Sequence, residues 1–172
     1  VTEIERAGNG WLLYAASGTT PGQLCRAKFL ALGVPLAAVC VLWGLCVPMW
    51  GALLGVPAPV PTGRIAAYTA SVCVISLVIL ALQLLISLAS DNQLLAVGAG
   101  MLGVLLSMIG AMAPTWAQYL TPWTYFSLVA PMTFAGSDPV YLDAPFPGAL
   151  VLAIAGAVAF TVITTRLDRK EV

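Results

Sequence analysis

The sequence predicts an all-α fold: a polytopic membrane helix bundle of four transmembrane helices. An amphipathic N-terminal cytoplasmic segment and an interfacial or re-entrant outer segment accompany the bundle. Three observations lead there. Of the 172 residues, 60% are hydrophobic and 8% are charged, whereas an ordinary soluble domain carries roughly 25% charged residues. Four long apolar runs hold no Asp, Glu, Lys or Arg. The positive charges gather near the two ends of the chain. A soluble surface needs more polar groups than this sequence supplies.

The same composition excludes several functions. Disorder needs low hydrophobicity and high net charge. Nucleic-acid binding needs a basic patch, yet seven Lys and Arg balance seven Asp and Glu. No nucleic-acid partner is expected. There is no His, so a Ser-His-Asp triad, an H-E-x-x-H zinc site and a His proton relay are ruled out. Cys25, Cys40, Cys46 and Cys73 form no C-x-x-C pair and read as small buried hydrophobes. No G-x-x-x-x-G-K-[ST] stretch occurs, so the chain cannot cradle a nucleotide phosphate in the P-loop manner. The sequence nominates no catalytic residue, no cofactor ligand and no metal ligand.

Residues 1–28 read as a cytoplasmic segment, residues 29–165 as the transmembrane domain and residues 166–172 as a cytoplasmic tail. The first segment lacks the apolar core and cleavage site of a signal peptide. It reads as short helical pieces broken at Ser17–Gly18, with Ile4, Trp11, Leu12, Leu13 and Tyr14 beside Glu3, Glu5 and Arg6. That surface suits either the inner membrane face or a cytoplasmic partner. Thr20-Pro21-Gly22-Gln23 is a capping box with Pro at the first helical position, so a helix starts there and runs into the first span.

A helix crossing a core of about 30 Å needs roughly 20 apolar residues. The runs 29–54, 65–89, 94–113 and 148–165 meet that need. Pro35 and Pro48 kink or end the first of them. Arg6, Arg26 and Lys28 precede the first span, Arg166, Arg169 and Lys170 follow the fourth, and Arg64 stands alone in another loop. Four crossings put both termini on one side, which the positive-inside rule makes cytoplasmic. Gln83 is the one strongly polar side chain well inside a span, and reads as an interhelical hydrogen bond.

The outer segment 114–147 carries Trp116, Tyr119, Trp123 and Tyr125. Trp116, Tyr119, Leu120, Trp123 and Phe126 follow a helical spacing, and Pro122 restarts that helix. The segment is either an aromatic belt at the membrane boundary or a re-entrant hairpin capping a transport path. Ala99, Gly103, Ser107 and Ala111 in the third span recur every fourth residue, as do Ala149, Ala153 and Ala157 in the fourth. Such stripes let helices approach closely in lipid and read as packing surfaces.

The N-terminal run from Glu5 through Gly8, Trp11, Leu12 and Leu13 to Ser17, then Pro21 to Leu30 with Ala27 and Lys28, resembles the cytoplasmic loop of bacterial ABC-2-type permeases. The lantibiotic-immunity and bacitracin-resistance branch is the nearest likeness. Pro114-Thr115-Trp116 and Pro122-Trp123, set before the last span, also resemble that branch. The resemblance implies that Glu5, Gly8, Trp11, Leu12, Leu13 and Lys28 form a coupling element seated on a separate P-loop ATPase, which would bind the ATP. It implies a second permease chain, the bacterial cell membrane as the location, and export of a peptide antibiotic or other amphiphile. The family has six spans with this loop between the second and third. The chain begins inside the loop, which leaves a fragment, a misplaced start or a reduced member as readings. The alternative function is a non-catalytic four-helix assembly or immunity protein.

Overall fold

The computed structural model describes residues 18, 20–55, 61–90, 92–110, 112–135, 138–141 and 146–169. Helix α1 spans Pro21–Leu53, α2 Thr62–Ala89, α3 Gln93–Gly110, and α6 Phe146–Arg169. Between α3 and α6 lie two one-turn helices, α4 (Thr115–Gln118) and α5 (Tyr125–Leu128). An antiparallel hairpin follows them, β1 (Met132–Ala135) and β2 (Asp138–Tyr141), with Met132 opposite Tyr141. Among the described residues three helices, α1, α2 and α6, are long and apolar enough to cross a membrane.

α1 starts where the capping box places it. The Thr20 hydroxyl oxygen accepts from the Gln23 N–H at 3.3 Å, and the Gln23 side chain accepts from the Thr20 N–H at 3.3 Å. The helix is continuous through Lys28, so no boundary separates its first turns from the apolar stretch. Pro35 and Pro48 lie within α1 and neither ends it. The end comes at Gly55, whose φ of +66° is the left-handed conformation that follows many helices. At the α2–α3 turn, Asn92 accepts from the Leu94 N–H at 3.0 Å and caps α3.

The third apolar run yields a shorter helix than the expected 94–113. α3 ends at Gly110, because Ala113 precedes Pro114 and is steered away from helical geometry. The Met112 and Ala113 N–H groups bond three residues back, to Ile109 and Gly110, in tight turns.

The aromatic spacing of the outer segment does not produce one helix. Pro122 brings no N–H, and the Thr124 hydroxyl, 2.6 Å from the Gln118 carbonyl and 2.7 Å from the Thr121 carbonyl, competes for helix acceptors. Two single turns result.

Close contacts fix the helix directions. α1 runs against α2, with Gly33 beside Leu77 and Leu80, and Gly44 against Thr69. α6 runs parallel to α2, with Ala149 and Ala153 near Ala70, Ser71 and Val74, and Gly156 near Val78. α3 returns antiparallel to both, which carries the chain back to the start of α6. Gln83 joins α2 to α3. With its amide turned to satisfy both ends, it donates to the Ala96 carbonyl at 3.0 Å and accepts from the Gly100 N–H at 3.1 Å.

Two buried clusters hold the bundle. At one end Cys25, Ala81 and Phe160 pack with Phe29, Leu84 and Leu88. Toward the other end Ile75, Tyr125 and Val129 pack with Val72, Ile79 and Leu152. Large apolar side chains such as Leu42, Trp43, Trp50, Leu105, Met108, Ile154 and Val158 stand exposed along α1, α3 and α6, as expected of surfaces that face lipid.

Within the small-residue stripe of α3, Gly103 meets an indole. A Cβ at Gly103 would overlap the Trp123 ring. Ala99 and Ser107 are half-buried, and Ala111 falls outside the described residues. Gly103→Val is expected to destabilise the detergent-solubilised protein by about 1–3 kcal/mol, the usual range for overpacking. Gln83→Leu is expected to cost about 0.6 kcal/mol, the average for an interhelical hydrogen bond in a membrane protein. Chemical or thermal unfolding of the two variants checks the ranking.

Candidate functional site

The most constructed polar feature among the described residues lies where α1 begins and α6 ends. The α1 start supplies Thr20, Gly22 and Arg26. The last two turns of α6 supply Thr164 and Asp168. Arg26 Nη2 lies 2.8 Å from Asp168 Oδ2, an ion pair between residues 142 apart in sequence. The Thr20 hydroxyl donates to Asp168 Oδ1. Asp168 therefore sits at the N-terminus of α1, where a carboxylate faces the positive end of the helix dipole.

Close approach makes this possible. A Cβ at Gly22 would overlap the Thr164 carbonyl and the Asp168 carboxylate, so only glycine fits. Thr164 is fully buried, and its hydroxyl is satisfied within α6 by the Phe160 carbonyl at 2.8 Å. One turn further in, the Phe29 and Phe160 rings meet at 4.9 Å between centroids. The contact is thus polar outside and aromatic inside.

Asp168 lies past the apolar stretch of α6. The Thr20 hydroxyl bond and then the Arg26 bond hold its carboxyl below the usual carboxylate range.

The positions nominated from sequence divide into three groups. Glu5, Gly8, Trp11, Leu12 and Leu13 lie outside the described residues. Lys28 is half-buried on α1, one residue before Phe29. On α6, Ala149 is buried, Ala153 half-buried and Ala157 exposed. Gly156, which lay off the stripe, approaches α2 so closely that a Cβ there would crowd Val78.

The outer aromatics do not act as one belt. Trp116 is 70% exposed, whereas Tyr125 is buried on Ile75 and Trp123 lies against Gly103, two turns inside the end of α3. Tyr119 meets Tyr125 edge-on at 5.6 Å and also touches Gly148. Aromatic spacing alone signalled none of these partners. Asp168 was also missed as a site residue, since it falls in the segment 166–172 that read only as a cytoplasmic tail.

By its three long apolar helices the chain is of the membrane-spanning class. Compared with known proteins, it matches no family model, no curated protein and no solved structure.

The junction predicts a signed pH dependence. Because the folded Asp168 has a lowered pKa, its contribution is full above the ordinary carboxylate pKa of about 3.9. It is lost as pH falls through the lower folded value. The stability gap between the native protein and Asp168→Asn should be constant above about pH 5 and close below about pH 4. Gly22→Ala should destabilise by about 1–3 kcal/mol at any pH. Thermal unfolding in detergent between pH 3 and pH 8 measures both.

Proposed function

We propose that the chain is the membrane-spanning subunit of a bacterial ABC-2-type exporter driven by a separate P-loop ATPase, moving a peptide antibiotic or other amphiphile out of the membrane. The observation that carries this reading is the junction at Asp168. The segment that resembles a coupling loop leads directly into Thr20, and Thr20, Gly22 and Arg26 are fastened to the last helix. A displacement of the N-terminal segment would reach α6 through a hydrogen bond and an ion pair.

In this reading α3 is a fourth crossing. Its 18 residues cover about 27 Å at 1.5 Å per residue, close to the thickness of a bilayer core. The antiparallel course of α3 returns the chain so that α2 and α6 can run parallel. Both termini then lie in the cytoplasm, with six of the seven positive charges on that side. The segment from Trp123 to Val129 is re-entrant from outside, which its contacts with Gly103 and Ile75 support. The nucleotide chemistry belongs to the partner.

Co-purification tests the reading. The chain is expressed with its genomic neighbours and extracted in mild detergent. An ATPase should stay bound to the native chain and be lost from a chain lacking residues 1–20 or carrying Glu5→Ala with Trp11→Ala. Retention of the ATPase by both variants would remove the coupling role. If no ATPase binds the chain, with or without additional spans upstream, the stand-alone assembly protein takes its place. Single cysteines placed at Gly18 and Lys170 should label from the cytoplasmic face, and one at Arg64 from the opposite face.

A further inference from the structure

We propose that the furrow between α2 and α6 holds one acyl chain of an anionic phospholipid, with the lipid phosphate held by Arg166. On the face of the α2–α6 seam that carries Ile75 and Leu152, the outer part is filled from within the chain by Tyr125 and Val129. One turn further along, the filling stops. A groove of about 410 Å³ opens there, with Leu82, Leu85 and Ile86 of α2 and Gly156, Ala159 and Ile163 of α6 among its walls. Gly156 and Ala159 are too small to close it. The glycine brings α6 within contact of Val78, so the helices touch at one level and leave the groove below.

The groove has the dimensions and chemistry of one lipid tail. Its α2 wall runs from Val78 to Ala89, about 17 Å at 1.5 Å per residue. Half of a hydrocarbon core is about 15 Å. The groove therefore runs from near mid-bilayer to the boundary where α6 ends. Every lining residue is apolar.

Charge selects the headgroup. Ala159, Ile163 and Arg166 are spaced four and three residues apart and share one face of α6. The first two line the groove, so Arg166 stands at its mouth. Arg166 is exposed, and Asp168, the carboxylate nearest in sequence, is already bonded to Arg26 and Thr20. A basic residue between membrane helices at the cytoplasmic boundary suits an anionic headgroup. A zwitterionic lipid would satisfy the groove but gain little at its mouth.

This site requires no ATPase, so it is tested apart from the export reading. The full chain, purified in mild detergent, is titrated with dioleoyl phosphatidylglycerol or dioleoyl phosphatidylcholine, and bound lipids are counted by native mass spectrometry. The native chain should retain one phosphatidylglycerol in preference to phosphatidylcholine. Arg166→Gln should lower phosphatidylglycerol occupancy about fivefold, the share of one cation at an anionic surface, and leave phosphatidylcholine unchanged. Arg166→Lys should restore most of it. Ala159→Phe, which fills the groove, should lower both. Equal retention of the two lipids, or an Arg166→Gln variant that binds like the native chain, overturns the proposal. So does a change of oligomeric state in Ala159→Phe, which would assign the groove to a second copy. The Arg166 series decides the matter even if Ala159→Phe does not fold.

Discussion

The bundle depends on one carboxylate. Asp168 completes the N-terminus of α1, pairs with Arg26, and requires Gly22 for its approach. Each part would be modest alone, since exposed ion pairs contribute little. The arrangement matters because a hydrogen bond, an ion pair and a backbone contact converge on the same two turns. The apolar stack of Phe29 on Phe160 then continues the contact into the bundle. Lipid provides no hydrophobic drive for helix association, so fixed points of this kind set which helices are neighbours.

The rest of the packing follows from where side chains are missing. Gly33 and Gly44 admit α2 to α1, Gly156 admits α2 to α6, and Gly103 and Gly110 admit Trp123 and Thr124 to α3. In this bundle glycine positions act as sockets. Their occupants range from a leucine to an indole. The outer segment is built from single turns. Its polar groups are satisfied locally through Gln118, Thr121 and Thr124.

Much of this fold is local in origin and hence legible in the sequence. The start of α1 depends on four consecutive residues around Thr20, and the long helices depend on unbroken apolar runs. Both signals lie within a short window. The polar contacts between α1 and α6 at the candidate site span 142 and 148 residues, and nothing near Asp168 in sequence distinguishes it from the other charges of the tail. The spacing of Trp116, Tyr119, Trp123 and Phe126, with Pro122 as a restart, pointed to helix because period alone ignores the Thr124 hydroxyl, which competes for the helix acceptors. The hairpin at Met132–Tyr141 was invisible for a related reason. Its strands are four residues long, and one contains Pro139, a residue that usually argues against a strand.

The junction at Asp168 also sets an order of assembly. α1 is made before α6, and Asp168 follows Thr20 by 148 residues. At about 5–20 residues per second, synthesis separates the two by roughly 7–30 s. Through that interval the capping box of Thr20 and Gln23 serves the N-terminus of α1 without Asp168. Helix α1 is thus completed by α6, a helix made well after it, and a chain cut short before Asp168 would leave α1 without its tether.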